Sequence, residues 1–172
     1  MGEKRPQEKK SEVKQKETGK RRAPKLDRST PIIVVNNGAL DMVSDAQMRT
    51  LIAGIQAQIT EDFLPAWGLK ARLVFGAKVD VPHMEVDIRD YADKQGDMGY
   101  HFRDDGYPQA FVFASESMAN GAGIKGLSTT LSHEILEMIA DPGVNLSATQ
   151  PPRNARGKTR SFAYEVCDPV ED

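Results

Sequence analysis

Ser132-His-Glu-Ile-Leu-Glu-Met-Ile-Ala-Asp-Pro142 is the stretch on which both the fold and the chemistry of this chain turn. At about 3.6 residues per turn, His133 and Glu137 lie roughly 40° apart and one turn along a helix axis, so their side chains can converge on one ion. Glu134 then flanks that ion as a candidate base. The opposite face carries Leu127, Leu131, Ile135, Met138 and Ile139 at helical spacing, which predicts packing against a core. The helix is expected over about 129–141. Ser128, Thr129 or Thr130 can cap its start, while Pro142 pushes Asp141 out of helical backbone and Gly143 permits a turn.

An acid four residues after a histidine is also an ordinary helix-surface pair. The apolar setting weighs for an ion, because charges placed among hydrophobic side chains are costly unless paired or bound to metal.

The remaining sequence reads as one domain over 29–172, preceded by a tail. Residues 1–28 hold 11 Lys or Arg against 5 Asp or Glu, a net +6, which leaves −8 of the total −2 for the rest of the chain. With only Val13 and Leu26 as large aliphatics besides Met1, this basic segment cannot bury enough surface to offset its ordering entropy and is expected to be disordered. Lys20, Arg21, Arg22 and Lys25 can make weak contact with a polyanion, though a solvated arm is the commoner meaning of such a run. A single cysteine, Cys167, excludes an internal disulfide framework. No stretch approaches the roughly 20 apolar residues of a membrane span, and no secretory signal is visible, so a cytoplasmic setting without membrane association is expected.

Within the domain, strands and helices alternate. Pro31–Asn37 reads as a buried strand, Ser44 or Asp45 to about Phe63 as an amphipathic helix, and Leu69–Lys78 and Met84–Tyr91 as further strands. Asp93–Pro108 is rich in Gly and Asp and reads as a loop, which makes its His101 a surface residue first and a substrate contact or extra ligand second. Ala110–Ala114 reads as an edge strand, Met118–Gly126 as a flexible link, and Phe162–Cys167 as a last strand. Cys167, with no base beside it in sequence, reads as a packing residue rather than a nucleophile.

These elements resemble the zincin-like metallopeptidase fold: a mixed sheet, an edge strand ahead of a His-Glu helix, and an acidic segment later in the chain. More closely, Gly99-Tyr-His, Ser132–Pro142 and Tyr164-Glu-Val-Cys-Asp-Pro-Val-Glu171 together resemble an uncharacterised group of bacterial and phage proteins, over about residues 31–172. Members of that group continue past this motif, which implies a shortened C-terminus here. The implied fold is α+β, with an N-terminal helix and a central metal-site helix.

The resemblance also implies roles. His133 is the first metal ligand, Glu137 stands where those peptidases carry a second histidine, and Glu134 is the base that takes a proton from the attacking water. A third ligand is expected from Asp168 or Glu165, since Asp141 lies about 12 Å from His133 along the axis. The cofactor is one divalent metal, zinc first, with manganese, iron or calcium also accommodated by an N,O,O set. A carboxylate at 137 makes the ion less electrophilic. Two classes of function therefore stay open: a metallohydrolase acting on a peptide or protein, and a metal-stabilised structural or interaction module, for which a phage origin implies a virion location.

Overall fold

In the computed structural model, which describes residues 30–119, 121–152 and 159–167, the β-branched run Ile32–Asn37 forms strand β1. Helix α1 (Asp45–Gln58) follows, continues through a π-helical turn over Ile59–Phe63 and ends in the short α2 (Leu64–Trp67), closed by Gly68 in a left-handed conformation (φ 69°). Strands β2 (Arg72–Phe75), β3 (Met84–Arg89), β4 (Gly99–Asp104) and β5 (Tyr107–Phe113) come next. A turn of helix α3 (Ala114–Ser117) leads into the long α4 (Gly123–Ala140), and β6 (Ser147–Gln150) and β7 (Arg160–Ala163) close the described chain. The protein is thus mixed α+β.

The five-stranded sheet has the order β2-β1-β3-β5-β4. β1, β2, β3 and β5 run parallel, and β4 is an antiparallel edge. Alternation puts Ile33, Val35, Val86, Ile88, Ala110 and Val112 into one core with Met48, Ile52 and Ile55 of α1 and Leu127, Leu131, Ile135 and Met138 of α4. His101 stands opposite Ala110 in the β4–β5 register, so its imidazole shares the face on which α4 packs.

Five expectations are corrected. The segment 93–108 is not all loop: Asp105 (φ 44°) and Gly106 (φ 90°) form a two-residue turn between β4 and β5, as Asp-Gly pairs do in hairpins. Ala110–Ala114 is not an edge, because β5 is flanked by β3 and β4. α4 begins at Gly123, six residues ahead of the expected start, and no side chain caps it. Thr129 and Thr130 instead return hydrogen bonds to the carbonyls of Lys125 (3.1 Å) and Gly126 (3.3 Å) inside the helix. Finally, the last strand covers Arg160–Ala163, pairs with the unanticipated β6 and leaves 164–167 as an irregular return along α4. The basic segment 1–28, Asp168 and most of Arg153–Arg160 lie outside the described residues. Among the described residues, no helix is long and apolar enough to cross a membrane.

Candidate metal centre

α4 brings the two predicted donors together: His133 Nε2 lies 3.2 Å from Glu137 Oε2. The helix stays regular to Ala140, and Asp141 terminates it by accepting the amides of Gly143 (3.2 Å), Asn145 (2.9 Å) and Leu146 (2.7 Å). Asp141 is therefore committed to the turn that ends the helix, in keeping with its expected distance from the ion. Gly126 allows this helix to pass α3 closely, since a Cβ there would meet the Ser117 carbonyl oxygen at 2.0 Å.

His101 is not a surface residue. Its side chain is 7 % exposed, and Nδ1 lies 3.6 Å from both Glu134 Oε2 and Glu137 Oε2, while Nε2 is 3.9 Å from Glu165 Oε2. Glu165 thus faces the edge-strand histidine. Gly99 makes the room on this side: a Cβ there would sit 2.8 Å from Glu134 Oε1 and 3.0 Å from the Phe111 carbonyl oxygen.

Residues from α4, β4, α3 and the 164–167 return wall a cleft of about 730 Å3, with His101, His133, Glu134, Glu137 and Glu165 lining it. The segment 164–167 is held in place by an edge-on contact of Tyr164 with Trp67, 6.0 Å between ring centres, and by the Cys167 amide donating to Glu137 Oε1 at 3.2 Å. Cys167 is half-buried and packs against the core as expected, but it lies outside any strand. One donor atom each of His133, Glu137 and Cys167 fall within 4.8 Å of one another, and so do those of His101, Glu134 and Glu137.

The electrostatics follow from burial among opposite charges. Burial pushes the Glu134 carboxyl above its ordinary value, and the two facing histidines offset this only in part. Burial acts on Glu137 in the same direction, but the hydrogen bond and charge of His133, the Cys167 amide and His101 outweigh it and hold the carboxyl below its usual range. For His101, burial disfavours the cation, yet Glu134, Glu165 and Glu137 together keep it above the ordinary histidine value. Among the described residues, His101 Nε2 and Glu134 Oε2 are buried without a hydrogen-bond partner. Buried polar atoms of this kind are rare unless an ion or water meets them, and an N,O donor set is what a divalent cation takes. The residues fit a metal.

Two members of this constellation, His101 and Cys167, escape helix-face reasoning because they arrive from other elements. The signal for His101 was its place in an aromatic-alternating run, Gly99-Tyr-His-Phe, ahead of Asp-Gly. No family model, curated protein or solved structure matches the chain.

Proposed function

We propose that this protein is a metal-dependent hydrolase of peptidase type, in which one divalent ion is held by His133, Glu137 and a donor of the 165–168 segment, and Glu134 acts as general base. The observation that carries the reading is the 3.2 Å His133–Glu137 pair on a buried helix, with the Glu134 carboxyl on the floor of the same cleft. When bound, the ion supplies a Lewis acid that polarises a carbonyl and acidifies water. Glu134 supplies the proton acceptor. In the metal-free cleft, burial raises its carboxyl value.

The free edge of β4 borders the cleft at Gly99–His101, which suits an extended peptide or protein bound by main-chain hydrogen bonds. A His-Glu helix beside an edge strand is also the arrangement expected of a zincin-like fold, and we carry that finer fold reading as a proposal on the same ground. Zinc is the first expectation for the ion, with manganese, iron or calcium next. Contact of residues 1–28 with a polyanion is proposed on charge alone, and its affinity should fall steeply as salt rises.

The test is metal analysis coupled to turnover on peptide libraries. Glu134→Gln should keep one ion per chain and lower turnover by on the order of 10²–10⁴, whereas His133→Ala should lose both ion and activity. The carboxylate at 137, which weakens the ion as an electrophile, favours one competing outcome: wild type and Glu134→Gln equally inert while metal removal unfolds the domain. That result would establish a structural module, with a virion component among its uses.

A further inference from the structure

Two donors on one helix leave a zinc-class ion short of the three or four protein donors such sites use, so another element must supply one. The irregular return after β7 is tied first to the segment that follows α4 and then to α4 itself. Tyr164 donates its amide to the Leu146 carbonyl at 3.2 Å, and the Cys167 N–H holds Glu137 Oε1 at 3.2 Å, which leaves Glu137 Oε2 turned to His133 Nε2. The Cys167 thiol lies 3.9 Å from the His133 carbonyl oxygen. Its sulfur, His133 nitrogen and a Glu137 oxygen fall within 4.8 Å of one another. Tetrahedral bonds of about 2.0–2.3 Å set donors roughly 3.3–3.6 Å apart. The His133–Glu137 distance of 3.2 Å is close to that spacing, and the sulfur lies no more than about 1.2 Å beyond it. Glu165, the acid expected in this role, faces His101 across 3.9 Å.

We infer that Cys167 is the third protein donor, bound as thiolate, so that the ion is held by a His-Glu-Cys set. The inference rests on the reading of His133 and Glu137 as metal ligands and goes beyond it in naming the donor and the class of ion. On ligation the S–H bond breaks, a sulfur–metal bond forms and the proton leaves to solvent, with no change of oxidation state. A thiolate beside an imidazole selects zinc, cobalt or cadmium over calcium and magnesium, which take oxygen donors. The mixed list of metals that an N,O,O set tolerates thereby narrows to the softer ions.

Cobalt(II) is the probe. The full chain, stripped of metal and reconstituted, should bind one cobalt and show a thiolate-to-cobalt charge-transfer band in the near ultraviolet. Because the chain has one cysteine, that band can arise only from Cys167. Cys167→Ser should lose the band while still binding cobalt more weakly; if this variant misfolds, the wild-type spectrum alone decides. Zinc should abolish the band by displacement, and a large excess of calcium should leave it intact. One cobalt per chain without the band would overturn the inference while leaving His133 and Glu137 as ligands. Failure to bind cobalt or zinc would overturn this inference, and failure to bind manganese, iron and calcium as well would overturn the metal reading itself.

Discussion

Helices α1 and α4 pack on the same face of the same sheet, yet they are built by opposite means. α1 is specified locally. Ser44 accepts the Gln47 amide at 3.3 Å and Gln47 Oε1 accepts the Ser44 amide at 3.0 Å, a reciprocal capping box ahead of an amphipathic run. α4 has no side-chain cap, starts among glycines and buries two carboxylates, Glu134 and Glu137, on the cleft side of its apolar face. Local rules would argue against such a helix. Tertiary burial holds it, and the rule it breaks marks the site, since buried charge is tolerated where it is paired or bound to an ion.

The largest test of this contrast is loss of core volume. Leu131 is fully buried between α4 and the sheet, whereas Leu51 on α1 is only partly buried. Leu131→Ala should cost about 2–5 kcal/mol in urea denaturation, and Leu51→Ala clearly less. Equal losses would mean that α4 draws no more stability from burial than its capped counterpart.

Metal removal should come next. Saturation at about 100 times Kd stabilises a folded chain by roughly 2.7 kcal/mol, and here the effect should depend on pH with a defined sign. The raised His101 value gives the metal-free fold stability that is complete below the unfolded value of 6.5 and lost as pH rises through the folded one. Glu134, also raised, acts likewise from 4.5 upward, while the lowered Glu137 contributes above 4.5 and loses its contribution only as pH falls through its folded value. As pH rises above 6.5 the metal-free protein should therefore weaken, while the donors, which bind deprotonated, take the ion more tightly. The gap in melting temperature with and without zinc should widen with rising pH. A gap that narrows would contradict the placement of His101 and Glu134 among the carboxylates and donors of this cleft.

The same contrast explains what was legible in the sequence. The core face of α4, the His133–Glu137 spacing and the strand–helix start follow from periodicities of 2 and 3.6, which are local properties. The extent of α4 is not local: its first turn is Gly-Ile-Lys-Gly, whose propensity opposes a helix until packing against α3 and the sheet overrides it. His101 was hidden by a polar, glycine-rich neighbourhood, and its approach to Glu134 depends on the β4–β5 register. Cys167 reaches Glu137 by a return 30 residues on from it in sequence, a distance over which no spacing rule operates.

The smallest expected effect isolates the two helix starts. Ser44→Ala removes the oxygen that accepts the Gln47 amide and leaves an amide of the first turn without its side-chain partner, so it should cost about 1 kcal/mol. Thr129, which the sequence offers as a cap for α4, sits in the exposed middle of that helix with its hydroxyl turned back to Lys125. Thr129→Ala loses a bond that only competes with the helix ladder and gains helix propensity, so its effect should stay within about 0.5 kcal/mol and lean toward stabilisation. Chemical denaturation of both variants side by side measures the difference. A Thr129→Ala loss as large as that of Ser44→Ala would show that α4 starts near residue 129 in solution, and that its first turns do not carry the burial on which the contrast between the two helices rests.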